Sequence, residues 1–446
     1  MKKVANKLRK TIVFASMVLM FFNFSCNKSG DDFDDDHNNA DDITDKTGIF
    51  QDAPSYGFVY TANYNSNDIS AFIIDTSSGS LAQIDADSAL DGIQNYAAGI
   101  NPASLAVDSG LKFLYAANFN SNDISVYTIG SDTGVLTAVD ADSALEGIQN
   151  FAAGTNPRSV VIDSTGKYLF VANGGSNDIS VFVIDSASGA LTPVDADSVL
   201  DGIQNFPAGT NPVSITINSS GQYLYAANFN SNDISAFSFD LATGVLTQID
   251  ADAEAADIQN FAAGFIYRSV SIAPNGKFLY ATNKSANAIS AFLIDSSTGS
   301  LTQIDAIADV AEDTTTTGIQ NFTASSGPVL VSVAKDGKYV YAINALSDNI
   351  SAFLLDDVTG IISSIDADAI SEGIQHFRAG DNPVSMSIDN SGLFAFVSNS
   401  GSNDISAFVI HPDSGILIPV DADESLLGTQ NFDTGNKPMS IVAISK

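Results

Sequence analysis

Residues 154–194 read GTNPRSVVIDSTGKYLFVANGGSNDISVFVIDSASGALTPV, and the reading of this stretch decides the fold. Four short segments, 159–163, 168–172, 179–185 and 191–195, alternate apolar with polar side chains. Between them lie a Ser-Thr-Gly-Lys turn, an Asn-rich loop (173–178) and a Ser-Gly turn at Ser188 and Gly189. Period-two alternation bounded by Gly, Asn, Asp and Ser predicts four antiparallel strands.

The stretch recurs along the chain. A strand-like segment closes on Asn at Asn63, Asn118, Asn173, Asn228, Asn283, Asn344 and Asn399, at intervals of 55, 55, 55, 55, 61 and 55 residues. Four short strands per unit, repeated seven times, predict an all-β, seven-bladed β-propeller; helical or leucine-rich repeats need other periods and helical spacing. The ends sharpen this. The 47 residues after Asn399 and the eight of 56–63 together make one 55-residue period. The C-terminal segment 439–444 is therefore expected to be the innermost strand of the blade that 56–62 begins, so that N- and C-terminal strands close the ring in one blade and no sheet edge stays open. On one face, the innermost strands carry small residues, Ser104, Ser159, Ser214, Ser269, Ser385 and Ser440 among them, with Leu330 the exception. The opposite face carries Leu105, Val160, Ile215, Val270, Val331, Met386 and Ile441. Small groups fit where backbones converge on an axis, and bulk fills the wedge between blades.

Composition limits the partners. The 446 residues carry 52 acidic against 18 basic side chains, a net charge of −34 at pH 7. Nucleic acid is excluded as a partner, because a polyanion would be repelled. With 45% hydrophobic residues the chain can bury a large core. Lys2, Lys3, Lys7, Arg9 and Lys10 precede an apolar run at 11–24, the build of an export signal. The run ends at Ser25 and Cys26, which resembles a bacterial lipobox, so Cys26 is the expected lipidation site. Residues 1–25 are read as signal peptide, 26–55 as a lipidated acidic flexible tether and 56–446 as the propeller. Cys26 is the only thiol, so no intrachain disulfide can form.

The recurring strings GTNPRS (154–159), GKYLFVAN (166–173), SNDISVFVID (176–185) and SGALTPV (188–194) resemble the seven-bladed lactonase-like propeller family. That family includes bacterial 6-phosphogluconolactonases and muconate-lactonizing relatives; the strings are equally similar to YVTN-repeat surface propellers. The resemblance covers 56–446. It implies a His, with Arg and an acid, at one mouth of the central channel, the His following the Pro of the G-x-x-P motif. The matching positions here are Ala103, Arg158, Val213, Arg268, Val329, Val384 and Met439, and none is His.

Strand order puts the Asn-rich loops and the long loops that enter each innermost strand on one face, and the Ser-Gly turns on the other. Arg158 and Arg268 share a repeat position two blades apart, beside Asn156 and Tyr267, while Arg378 lies near Asp381 and Asn382. These are three of only four Arg in the chain. They are the expected anion or carboxylate clamp, with Arg158 and Arg268 polarising a carbonyl, Asp381 as the base, and Asn156, Tyr267, Arg378 and Asn382 binding ligand. A Ser-His-acid triad is disfavoured, since His376 and His411 fall on different sides of the domain. No metal or other cofactor is expected; the Asn-rich loops and Asp85, Asp87 and Asp91 offer oxygen ligands to Ca²⁺, but Asn and Asp also cap strand ends without metal.

The function expected from these features is a lipid-anchored exported propeller acting as a non-enzymatic ligand- or partner-binding scaffold at the cell envelope. It is placed on the outer membrane, at its periplasmic face or the cell surface, as a monomer with a small molecule or envelope protein as partner. The alternative is a lactone hydrolase acting on an exported sugar lactone, and a second alternative is a structural surface-layer spacer. An exported protein would not meet cytoplasmic 6-phosphogluconolactone.

Overall fold

The computed structural model describes residues 56–87, 94–142, 150–196, 205–251, 260–262, 267–306, 321–367, 376–422 and 431–445. The signal peptide, Cys26, the tether, Asp91 and the six extra residues of the loop between Asp305 and Gly318, Thr314 to Thr317 among them, lie outside the described residues. Seven five-stranded antiparallel sheets, and no helix among the described residues, make the seven-bladed propeller that the repeats predict. The innermost strands lie side by side in a ring, from Pro102–Val107 of blade 2 round to Pro438–Ser445 and back. In blade 1, Gly57–Asn63 pairs with Pro438–Ser445, Gly57 opposite Ser445 and Thr61 opposite Ile441. The ends of the chain thus close the ring within one blade.

One expectation needs correction. Each blade has five strands, because the outer strand is split. In blade 3, Leu191–Val194 pairs with one half of Asp178–Ile184, and the two-residue strand Phe206–Pro207 pairs with its other end at Asp178 and Ile179. The long connection therefore leaves the outer edge in mid-strand and returns to it, and only its last residues reach the face of the Asn-rich loops. Apolar spacing after Val194 is too sparse to reveal a two-residue strand.

The core is seven wedges of side chains between neighbouring blades. Between blades 3 and 4, Phe239 meets Tyr168 and Phe170 edge-on, with ring centroids 5.0 and 4.8 Å apart. The large residues of the innermost strands point into these wedges, as their pattern predicts. The small ones do more than relieve crowding. Ser104 Oγ accepts the Val160 N–H at 3.1 Å, Ser159 Oγ that of Ile215 at 3.2 Å, and the series continues through Ser214, Ser269, Ser385 and Ser440. A hydroxyl staples six of the seven innermost strands to the next; Leu330 leaves the junction of blades 6 and 7 without this bond.

The marker asparagines are buried. Asn118 Nδ2 donates to Asp123 Oδ1 at 2.6 Å and Ser125 Oγ at 2.9 Å, and Asn63, Asn173, Asn228, Asn344 and Asn399 repeat the pair. A second asparagine joins blades: Asn122 Oδ1 accepts the Asn156 N–H at 2.8 Å, with equivalents from Asn67 to Asn403. On the opposite face, Tyr60, Tyr115, Tyr225, Tyr280 and Tyr341 each donate their hydroxyl to the glycine carbonyl of the next blade's Ser-Gly or Thr-Gly turn, Tyr225 to Gly299 at 2.8 Å. Gly299 has φ 75°, and a Cβ there would lie 2.4 Å from the Tyr223 ring, so only glycine fits.

Candidate functional site

Two consecutive features of the repeat build the mouth of the channel. The marker Asn ends the second strand of each blade and lies opposite the residue that opens the innermost strand, as Asn173 lies opposite Pro157. Immediately after that opening residue the register slips by one, between Pro157 and Ser159, and likewise in the other blades. A β-bulge leaves one residue unpaired and re-aims its side chain. The bulge residue of blade 3 is Arg158, and Arg268 lies in the wider slip between Tyr267 and Val270 in blade 5. Facing the bulges is the residue after each marker Asn, which in chain order is Tyr64, Phe119, Gly174, Phe229, Lys284, Ala345 and Ser400.

Across blade junctions the two positions interlock. The Arg158 guanidinium lies over the Phe119 ring at 4.5 Å, and that of Arg268 over Phe229 at 4.9 Å. Within blade 1, Lys437, one residue before the opening of the innermost strand, places its Nζ 4.9 Å from the centroid of Tyr64, whose ring is 6.2 Å from Phe119 of blade 2. Stacking holds each cation while leaving in-plane N–H donors free. Burial lowers the pKa of Arg158, which the charge of Arg268 also depresses and Tyr64 offsets. Burial lowers Arg268, the more exposed of the two, as well, and Lys284 is lowered by burial and then by Arg268. Both guanidiniums stay charged, because an arginine starts far above neutrality. None of the four cations forms an ion pair among the described residues, where the one such pair is Lys338 with Asp336. Arg158 Nε is buried without a hydrogen-bond acceptor. In a chain of net charge −34 this is an arc of positive charge with no ion-pair partner among the described residues.

The structure sorts the residues expected from sequence. Arg158 and Arg268 both lie at the mouth, in blades 3 and 5, near enough for the charge of Arg268 to depress the pKa of Arg158. Arg378 does not join them: it lies in the two-residue strand Phe377–Arg378 on the outer edge of blade 6, opposite Asn349, and lines a groove of about 410 Å³ with Phe408 and Pro419. His376 precedes it on the same edge, and His411 lies in the Ser-Gly turn of blade 7. Asn156 and Asn382 serve the frame, Asn156 Nδ2 donating to the Phe119 carbonyl at 3.0 Å and Asn382 Nδ2 to Ser400 Oγ at 2.7 Å. Tyr267 opens the innermost strand of blade 5 opposite Asn283, and its side chain lies outside the described residues. Asp381 is exposed on the mouth face, where its backbone accepts from Gly401 and no ion pair joins it to either arginine. The Asn-rich loops spend their amides on the protein itself, Asp85 Oδ1 accepts the Asp87 and Gln94 N–H groups, and among the described residues no three His, Cys, Asp or Glu assemble.

The aromatic partners are the residues that reading the sequence missed. They lie 39 residues from their arginines and one residue past a marker that commands the attention. Aligning the repeats on the residue after each Asn would have exposed a position that varies from Phe to Gly to Lys.

A family model described as lactonase, 7-bladed beta-propeller, matches residues 48–202, 194–262 and 308–427. The 6-phosphogluconolactonase of Formosa agariphila is 26% identical over 313 residues, 68% of this chain and 79% of that protein. That of Bacillus subtilis is 20% identical over 319 residues, 71% and 82% of the two chains. Among solved structures, the Pseudomonas aeruginosa periplasmic gluconolactonase superposes with a TM-score of 0.63 at 18% identity, covering 88% of this chain and 99% of the other. A protein from Lactobacillus plantarum gives 0.62 at 19%, covering 87% and 99%.

Proposed function

The chain belongs to the seven-bladed β-propeller lactonase family, and from that premise we propose that it is a lactonase, an ester hydrolase that opens a sugar lactone at the mouth of the channel. The observation that carries this reading is the pair Arg158 and Arg268, each stacked on a ring from the neighbouring blade and neither paired with a carboxylate among the described residues. The enzymatic reading takes precedence over the scaffold reading because the curated relatives are 6-phosphogluconolactonases and a structural neighbour is a gluconolactonase.

In ring opening, water adds to the carbonyl carbon, the carbonyl π pair moves to its oxygen, and the ring C–O bond then breaks. The ring oxygen leaves with a proton as a hydroxyl, and the product is a carboxylate. Two fixed guanidiniums at that carbonyl stabilise the charge that develops on its oxygen, at no cost of reorganisation during the reaction. The proton of the attacking water is assigned to Asp381, an exposed carboxylate of the mouth face. A neutral lactone enters the acidic protein unopposed. We assign the enzyme to the cell envelope, anchored through Cys26, from its basic and apolar start and its lipobox-like Ser25-Cys26. Its substrates are then unphosphorylated sugar lactones outside the cytoplasm.

Hydrolysis of a lactone panel led by D-glucono-1,5-lactone tests the reading. Arg158→Ala and Arg268→Ala should each lower kcat/KM by about 10²-fold, and Asp381→Asn should lower kcat. Turnover of no panel member by the wild type would sink the enzymatic reading; unchanged rates in both arginine variants would remove these residues from it.

A further inference from the structure

In the closing blade, Gly57–Asn63 and Pro438–Ser445 pair without the turn that joins the innermost strand to the second in the other six blades, since they come from opposite ends of the sequence. The turn of the neighbouring blade 2 departs from the repeat. Blades 3 to 7 place Gly166, Gly221, Gly276, Gly337 and Gly392 at its left-handed position, with φ between 70 and 74°. Blade 2 places Leu111 there with φ 54°, and its glycine stands one residue earlier, at Gly110, where no left-handed conformation calls for it. Leu111 keeps the hydrogen bond of the turn, its N–H donating to the Asp108 carbonyl at 2.9 Å as that of Gly166 does to Asp163 at 3.0 Å. The Cβ of a leucine strains this region of the backbone, so contacts outside the turn must hold it there.

Those contacts lie at the base of the closing blade. Leu111 is half-buried in the apolar wedge between blades 1 and 2, and it meets Tyr56, Phe58, Ile129, Ile444 and Ser445 around one small pocket. The equivalent glycines have no such neighbours: a Cβ on Gly276 or Gly392 would meet nothing within 4 Å. On the other side of the closing blade, blade 7 grips the same strand end by polar contacts. Ser445 Oγ donates to Asp389 Oδ2 at 2.6 Å and accepts the Ser391 N–H at 3.2 Å, while Asn390 Nδ2 donates to the Ser445 carbonyl at 3.1 Å. Asp389 is fully buried, its other oxygen accepting the Leu393 and Phe394 N–H groups.

We infer that Leu111 and the 389–391 turn form a two-sided clasp, which stands in for the missing turn and keeps the ring shut at its one discontinuous blade. Burial of the leucine beside Phe58 and Ile444 offsets the strain of its backbone. In blades 3 to 7 a covalent turn already joins the two strands, and glycine is unstrained in the left-handed region. A closed ring frays most readily where two strands are held by hydrogen bonds alone, so the clasp sets how often the closing blade opens.

Urea denaturation and peptide-resolved amide exchange of the full chain test the clasp. The urea midpoint should fall in the order wild type, Leu111→Gly, Leu111→Ala, because glycine removes clasp and strain together whereas alanine removes the clasp and keeps the strain. If Leu111→Gly is instead more stable than the wild type, the leucine is strain alone and the proposal falls. In Leu111→Gly the amides of Gly57–Asn63 and Pro438–Ser445 should exchange about tenfold faster, and those of Pro212–Ile217 in blade 4 at the wild-type rate. Faster exchange confined to the 108–113 turn, or spread equally to blade 4, would overturn the clasp. Ser445→Ala removes the grip of blade 7 and should loosen the same two strands while sparing the 108–113 turn; unchanged exchange in both strands would overturn the clasp from that side. Leu111→Met refills the pocket and should bring exchange back to the wild-type rate, a result that stands even if Leu111→Ala fails to fold.

Discussion

Asn118 and Phe119 are neighbours in the chain, yet they obey different rules. The first position holds Asn in every blade, and in six of the seven its amide donates to the side chain five residues on and to the serine seven residues on. The seventh, Asn283, meets Ala288 in place of the acid and turns its Oδ1 to the Ala286 N–H at 3.1 Å. The second position runs through Tyr64, Phe119, Gly174, Phe229, Lys284, Ala345 and Ser400 without a repeat rule. Only one residue separates a site that pays the ring's folding cost from one free to carry chemistry. The difference teaches where to look in a repeat protein: constancy around the ring marks the frame, and departure from it beside a constant residue marks the site.

Substitutions at the two positions should therefore fail differently. Asn118→Ala strands Asp123 and Ser125 in a buried setting and should cost about 2–3 kcal/mol of stability, read as a lowered urea midpoint. Phe119→Ala should cost less stability but remove the shelf under Arg158, raising KM for a lactone several-fold. If Phe119→Ala unfolds the domain as readily as Asn118→Ala, the division between frame and site is wrong.

A smaller effect sharpens the comparison from the opposite face, where repetition again means structure. Asp295 accepts the Ser297 hydroxyl at 2.6 Å, the Ser297 N–H at 2.8 Å and the Thr298 N–H at 3.0 Å, which lower its pKa; Asp75, Asp185, Asp240 and Asp356 cap their turns alike. A carboxyl with a depressed folded pKa stabilises above its unfolded value of about 3.9 and loses that contribution as pH falls through the folded pKa. Wild type should accordingly exceed Asp295→Asn in stability from pH 7 down to about 4, and the gap should close below it. A gap that is constant with pH would show that the cap acts without its charge.

Much of the frame was legible in the sequence because its signals are local and repeated. The 55-residue spacing of Asn63 to Asn283, the period split between the ends, and the small faces of Ser104 and Ser159 each point to a closed ring without knowledge of any contact. The split outer strand was not legible, since Phe206–Pro207 is too short to carry a period, and with it went the placement of Arg378, which sequence order alone brings near Asp381. Arg158 and Arg268 stood out by scarcity in an acidic chain. Their rings did not, because stacking across a blade junction depends on how far one blade is rotated against the next. The role of the serines was half legible: size was visible, and the N–H that each accepts from the adjacent blade was not.

The central claim is that variable residues on a constant frame make one anion-holding site at this mouth. A crystal structure of the protein soaked with D-gluconate tests it most directly. The account predicts the carboxylate within hydrogen-bonding distance of both the Arg158 and Arg268 guanidiniums, beside Gly174. Gluconate held instead at the Ser-Gly turn face, or in the outer groove beside Arg378, would contradict it.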